Sequence, residues 1–275
     1  MNQLDIPKKL FKYRPFEAIQ KQKNYGAKTL LNFELYANSR KNFNDPFDLA
    51  MPYKFSKESL DEENFIKYYI ETYPNKEKID MDSLIQMAKE RRNCFIENPE
   101  KIWDDNQSKI EELDNNFYGV LCFAGSPSEI LMWSHYCQYH TGYCLGFNGK
   151  KLFDYIFEKH IQYGCTFGPV KYQNEYPEYD LLNSYKMKGI ERGFTKHTSW
   201  KYEDEYRFLL PASANSIIKY PSDIIDEIYL GCKMPDEIID YILRFVKIRK
   251  MRVKVFKMKM SYNFFGLEPI LIYNN

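Results

Sequence analysis

Ser199-Trp200-Lys201-Tyr202-Glu203-Asp204-Glu205-Tyr206-Arg207-Phe208 alternates aromatic and charged side chains with a period of two. In an extended strand that period puts Trp200, Tyr202, Asp204, Tyr206 and Phe208 on one face and Lys201, Glu203, Glu205 and Arg207 on the other. The spacing predicts a strand from Trp200 to Leu210, the clearest in the chain. Two carboxylates two residues apart, backed by an arginine, form a dense ionisable strip. One reading is a solvated sheet face with cross-strand ion pairs. The other is a site, because an i, i+2 carboxylate pair can hydrogen-bond a substrate diol and stabilise a cationic transition state.

The segments on either side place that strand in a sheet. Phe117 to Ala124, Tyr143 to Phe147, Val170 to Tyr172, Ile225 to Gly231, Arg252 to Met258 and Ile270 to Tyr273 read as further strands. Ser128 is expected to cap a helix running through Tyr136, and a second helix is expected from Pro235 to about Val246. Residues 28 to 38 read as one or two short strands after a helix near 16 to 24, and residues 178 to 192 as a helix. Between 56 and 115 the character changes to charged amphipathic helices near 57 to 72, 82 to 97 and 99 to 115. Leu84, Met87, Ala88 and Arg91 keep helical spacing there, Asp80 or Asp82 caps the second helix, and Asn98 with Pro99 starts the third. Strands arriving in runs with helices inserted between them argue an α+β fold with a mixed or antiparallel sheet. The expected organisation is one domain over 1–275, with 56–115 a helical insertion that packs as a layer and does not fold alone.

Composition narrows the function classes. A chain of 275 residues buries about three quarters of its unfolded surface, so its core needs neither disulfides nor a structural metal. Lys+Arg 39 against Asp+Glu 38 leaves a formal charge of +1, which excludes a blanket basic coat for nucleic acid. No apolar run approaches a membrane span, and the N-terminal residues carry no signal-peptide core. The six cysteines form no C-x-x-C pair and the four histidines no zinc spacing, so reduced thiols in a cytoplasmic protein without a metal are expected. Dinucleotide-fold, P-loop, zincin and α/β-hydrolase motifs do not occur.

Two further constellations carry candidate chemistry. Trp133 and His135, with Tyr136 one turn from Met132, either line a cleft or belong to an aromatic core helix. Tyr13-Arg14, just before Pro15, presents an arginine that can hold a phosphate or carboxylate, or simply a surface arginine.

In chain order these motifs form a series: Lys12-Tyr13-Arg14, Asn44-Asp45-Pro46-Phe47-Asp48, Leu121-Cys122-Phe123, then Met132-Trp133-Ser134-His135-Tyr136 with His140, Gly142 and Gly146-Phe147. Val170-Lys171-Tyr172 follows, then Lys196 ahead of Trp200, Tyr202-Glu203, Glu205 and Arg207. The series resembles the bacterial domain of unknown function 2971 family, often encoded near mobile elements and phage-defence genes. An N-terminal Tyr-Arg, an extended segment entering a split sheet and a late Glu-x-Glu are also similar to the ADP-ribosyltransferase arrangement. That similarity implies an NAD-dependent ADP-ribosyltransferase or NAD glycohydrolase, a toxin-like defence effector. NAD would be its substrate, the acceptor protein, nucleic acid or water, and a regulatory protein partner would restrain it. It implies Glu205, Glu203 and His135 as catalytic residues. Tyr13, Arg14, Asn44, Asp45, Trp133, Tyr136 and Arg207 would hold NAD. The alternatives are a non-catalytic sensor or partner-binding domain, and a metal-dependent nuclease using Asp45, Asp48, Glu203 and Glu205.

Overall fold

The computed structural model describes residues 5–16, 25–49, 54–55, 60–98, 115–179 and 192–275. The elements of the first half are β1 (Lys9–Arg14), α1 (Tyr25–Leu31), β2 (Glu34–Ala37), β3 (Lys54–Phe55), α2 (Glu62–Thr72), α3 (Met81–Glu97) and β4 (Gly119–Ala124). Then come α4 (Ile130–Tyr136), β5 (Tyr143–Asn148), α5 (Gly149–His160), β6 (Thr166–Pro169), β7 (Lys171–Gln173), β8 (Glu178–Tyr179) and β9 (Thr195–His197). The chain ends with β10 (Glu205–Leu210), β11 (Ser216–Lys219), β12 (Ile225–Leu230), α6 (Asp236–Ile248), β13 (Lys254–Met260) and β14 (Leu267–Asn274).

Eight strands form one open sheet in the order β14-β13-β12-β5-β1-β4-β10-β6, and only β12 and β13 run parallel. The fold is therefore α+β with a mostly antiparallel sheet. Alternation along the strands separates two apolar faces. Tyr143, Leu145 and Phe147 of β5 point to one, where Leu30 of α1, Leu152 and Ile156 of α5, and Ile242 and Val246 of α6 cover them. Cys144 points to the other, where Phe11, Tyr13, Met132 and Trp133 gather.

The central feature is a break in the ladder between β1 and β4. β1 pairs with β5 along its whole length, from Lys9↔Asn148 to Arg14↔Tyr143. β4 pairs with β10 just as completely, from Ala124↔Glu205 to Gly119↔Leu210. Between β1 and β4 the sole register pair is Phe11↔Ala124, and beyond it the sheet opens. Asn38, at the end of β2, fills the far end of the gap by exchanging backbone hydrogen bonds with Val120. Between those two points the Lys12 ammonium donates to the Cys122 carbonyl, which satisfies an edge oxygen the missing ladder would otherwise strand.

Several local expectations change. The strand expected from Trp200 begins only at Glu205, because Thr198–Glu203 coils as a 3-10 segment. Asp204 then takes a left-handed conformation (φ 43°), which turns the chain from coil into strand and ends the alternation. Residues 28 to 31 are helical, with Leu30 fully buried, and the left-handed Phe33 (φ 57°) separates α1 from β2. Glu129, not Ser128, caps α4, its carboxylate accepting from the Leu131 N–H. Asp80 caps α3 as expected, accepting from Ser83. The helix expected at 99 to 115, and most of those expected at 16 to 24 and 178 to 192, lie outside the described residues. Glu178–Tyr179 is strand, paired with β3. Among the described residues no helix is long and apolar enough to cross a membrane.

Candidate functional site

The opening in the sheet holds a cavity of about 290 Å³. Residues of both alternation classes, Phe11 to Arg14 on β1 and Cys122 to Ala124 on β4, line it, as expected only where a cavity lies between strand edges. Asn38, Asn42, Phe43 and Asn44 close one side, Met132, His135 and Tyr136 of α4 another, and Asp48, Lys196, Glu203 and Glu205 the floor.

The floor is a buried ionic network centred on two cations. Arg207 is fully buried, and Asp48 receives its Nη1–H and Nη2–H at 2.7 and 2.6 Å in bidentate fashion. Its Nε–H and second Nη2–H reach the two Glu205 oxygens at 2.9 and 2.8 Å, and its last Nη1–H goes to the Gly193 carbonyl at 3.0 Å. All five guanidinium donors are thus spent inside the protein. The Lys196 ammonium lies 2.6 Å from Glu203, 3.4 Å from Asp48 and 3.5 Å from Glu205, under the face of the Trp200 ring. The second oxygen of Glu203 accepts from the Tyr136 hydroxyl at 2.7 Å.

Backbone geometry explains how distant residues meet. Asp45 folds its carboxylate back onto the Phe47 N–H at 2.9 Å, and this turn delivers Asp48 to Arg207. β9 brings Lys196 beside β7, whose Tyr172 hydroxyl accepts from the Glu205 N–H. Glu205 and Arg207, two apart on β10, share a face by strand alternation. Glu203 arrives from the preceding 3-10 segment, so the two glutamates converge from different elements and not along one strand.

Electrostatics sets the two carboxylates apart. Burial alone would raise Glu205, but Arg207 and Lys196 outweigh it and hold the carboxyl down at about 2. Burial and the neighbouring Glu205 charge raise Glu203, in spite of Lys196 and Tyr136. Burial likewise raises the Tyr136 phenol, with Glu203 adding to the effect. On the opposite wall, burial and the adjacent Arg14 lower Lys12 to about 7. Burial also lowers Arg14. The cavity has a wall on β1 that carries Arg14 and, when protonated, Lys12, facing a carboxylate floor.

Of the residues singled out in the sequence, Tyr13, Arg14, Asn44, His135, Tyr136, Glu203 and Glu205 line this cavity. Three do not. Trp133 is fully buried, donates its indole N–H to the Pro127 carbonyl, and meets the Tyr13 ring edge-on at 5.4 Å. It is the core reading of that helix that holds for Trp133. Asp45 is occupied by its own turn, and Arg207 by Asp48 and Glu205, so both build the site from behind. The solvated-face reading of the charged strip also gives way: Glu203, Glu205 and Arg207 are all buried. Lys196 and Lys12 were not among the site candidates, and Asp48 was one only as a metal ligand in the nuclease alternative. Their signal was their place in the motif series, where Asp48 closes Asn-Asp-Pro-Phe-Asp and Lys12 opens Lys-Tyr-Arg.

Among the described residues no group of three or more His, Cys, Asp or Glu is arranged to hold a metal ion. Asp48 and Glu205 instead each contact both Lys196 and Arg207, Glu203 contacts Lys196, and the Asp45 carboxylate accepts from the Phe47 N–H.

Fold and site together define a split-sheet protein with a cation-bound carboxylate pair at the bottom of the split. Residues 132–208 match the family described as protein of unknown function (DUF2971), in agreement with the part of the motif series from Met132 to Arg207. The match runs from α4 to β10 and so includes His135, Tyr136, Lys196, Glu203, Glu205 and Arg207. No curated protein and no solved structure matches the chain.

Proposed function

We propose that the protein cleaves the nicotinamide–ribose bond of NAD and passes ADP-ribose to an acceptor, which is protein, nucleic acid or water. The observation that carries this reading is the pair Glu203 and Glu205, held in different protonation tendencies by one cation network and facing Lys12 and Arg14 across the split. In the reaction the C1′–N bond breaks and its electron pair neutralises the pyridinium nitrogen of the leaving nicotinamide. The ribose is left as an oxocarbenium-like cation. Glu205, kept ionised by Arg207, stabilises that cation electrostatically and accepts from the ribose 2′-hydroxyl. Glu205 already accepts two hydrogen bonds from Arg207 and weaker ones from Lys196, at 3.5 Å, and the Cys122 thiol, so the ribose hydroxyl would displace one of these weaker donors. Glu203, the weaker acid of the pair, takes the proton of the incoming nucleophile as that nucleophile bonds to C1′. Lys12 and Arg14 supply positive charge for the diphosphate. His135, whose Nδ1 lies 3.1 Å from the Tyr202 hydroxyl, stands at the entrance and orients the leaving group.

A toxin-like role in phage defence, restrained by a protein partner, is the biological setting this chemistry suits. The competing reading, a non-catalytic recognition pocket, draws on the full internal use of Arg207 and Lys196, which gives a rigid site whether or not it turns over substrate. Nicotinamide release from NAD by the purified full chain separates the two. Glu205→Gln should lower that release by at least about 10²-fold, the scale of losing an electrostatic catalytic group, with the fold intact by thermal melting. Glu203→Gln should impair transfer to an acceptor more than hydrolysis. A folded Glu205→Gln protein that consumes NAD at the parental rate, or a parent that consumes none with any acceptor tried, moves the assignment to the binding role.

A further inference from the structure

Outside the inner cavity lies a wider cleft of about 630 Å³, which shares Tyr13, Arg14, Asn44, His135 and Tyr136 with it and adds Tyr139 and Trp200. We propose that this outer cleft is an adenine-nucleotide subsite, in which the base stacks on Tyr139 and Trp200 and the diphosphate pairs with Arg14. The assignment rests on the NAD reading of the inner cavity and extends it to residues that reading does not use.

Three observations point to this ligand. The first is charge: no acidic residue lines the outer cleft, and Arg14 is its one cation. Among the described residues nothing accepts a hydrogen bond from the Arg14 guanidinium, and its buried Nε is without a partner. Arg14 has no counter-ion among the described residues, and a buried guanidinium in a cleft wall favours an anion that offers two oxygens at once.

The second is strain. Gln138, Tyr139 and His140 have φ of 47°, 54° and 72°, three consecutive non-glycine residues in the left-handed region. L-residues avoid that region, and a run of three persists only where surrounding structure over-determines it. The surroundings do so here. The His140 N–H donates to the Trp133 carbonyl, and the His140 carbonyl accepts from the Lys233 N–H at 3.0 Å. The Gly142 carbonyl accepts from Gly231 at 2.9 Å, and a Cβ on Gly231 would stand 2.1 Å from the His140 oxygen. The product of this enforced turn is a tyrosine ring 77% exposed at the rim of the cleft. Packing does not require an exposed ring there, and its free face is open to a planar ligand.

The third is Trp200, also on the cleft wall. The Lys196 ammonium lies 4.7 Å from its ring centroid, so the same lysine that holds Glu203 also fixes the indole. Aromatic rings stack on any base, and a nucleotide reaching from this rim past Arg14 would leave its other end over the carboxylate floor.

The test is titration calorimetry on the full chain carrying Glu205→Gln, which slows turnover, with ADP-ribose, ADP and nicotinamide mononucleotide. ADP-ribose and ADP should bind, and Tyr139→Ala or Trp200→Ala should weaken each by about ten-fold or more, whereas Tyr139→Phe should not. Nicotinamide mononucleotide should be insensitive to Tyr139→Ala. Tyr139→Gly separates ligand binding from structure, because it removes both ring and strain: the melting temperature should hold or rise while ADP affinity falls. ADP-ribose affinity unchanged by Tyr139→Ala, or nicotinamide mononucleotide lost with it, overturns the subsite. If the parent protein releases no nicotinamide yet binds ADP in a Tyr139-dependent way, the transferase reading fails and the subsite stands. Nicotinamide release with a KM for NAD indifferent to Tyr139→Ala is the reverse result.

Discussion

Arg207 shows how a residue can govern a site it does not touch. Its five donors hold Asp48, Glu205 and the Gly193 carbonyl, so its removal leaves two buried carboxylates with only the longer contacts of Lys196, at 3.4 and 3.5 Å. Breaking a buried ion pair in this way costs about 3–5 kcal/mol, so Arg207→Met should be severely destabilised in urea unfolding. Arg207→Lys should recover little of it, because an ammonium cannot reproduce two bidentate contacts. Lys12 offers a different test at the same scale. Its folded value near 7 lies below the ordinary 10.5, so the unfolded chain binds the extra proton between those limits. Stability contributed by Lys12 is therefore present above about pH 10.5 and lost as pH falls through 7. Lys12→Met should gain on the parent in denaturant midpoint at pH 6, with the gain shrinking toward pH 10. A difference independent of pH would mean that burial does not perturb this lysine.

Among the elements, the β1–β5 ladder carries the Arg14 wall and depends on a close approach at its open end. A Cβ on Gly142 would stand 2.3 Å from the Arg14 carbonyl oxygen, a backbone atom held by pairing with Tyr143. Gly142→Ala must push that end of β1 aside, at about 1–3 kcal/mol for overpacking. It should also weaken ADP binding through displacement of Arg14, measured by calorimetry on folded protein. Unchanged stability would mean that the ladder yields easily there and that β1 is not a rigid wall.

For the whole molecule, the question is whether the helical region between β3 and β4 stands alone. α2 and α3 pack on each other through Phe65, Leu84, Ala88 and Phe95, with Arg92 reaching the Leu60 carbonyl. Their described core is small, and a segment of about 60 residues has too little interior for independent stability. Residues 56–115 expressed in isolation should show no cooperative thermal transition. A sharp one would make the region a domain in its own right.

Much of the sheet was legible because its strands carry their own pattern: Ile225–Leu230, Gly119–Ala124 and Glu205–Leu210 have an apolar face that only an extended chain can bury. The α+β class and the cap at Asp80 also follow from local pattern, but the meeting of Arg14, Asn44, His135, Glu203 and Glu205 at one cavity does not, because that cavity lies in the gap between β1 and β4. Local pattern misled wherever a single backbone residue reversed direction. Asp204 and Phe33 take left-handed φ values that alternation cannot signal, so a coil was read as strand before Glu205 and a helix as strand before Phe33. The gap between β1 and β4 was beyond local reading altogether, since each strand is fully paired on its other side. Whether Trp133 is core or cleft, and whether Glu203 and Glu205 are solvated or buried, depends on what covers them. The covering groups, Pro127 and Tyr13 for the indole and Asp48, Lys196 and Arg207 for the carboxylates, come largely from other elements. The amino-acid sequence by itself determined which side chains can carry charge and which strands can exist. Only the tertiary structure decided which charges lose water, because desolvation is a property of the assembled neighbours and not of the residue.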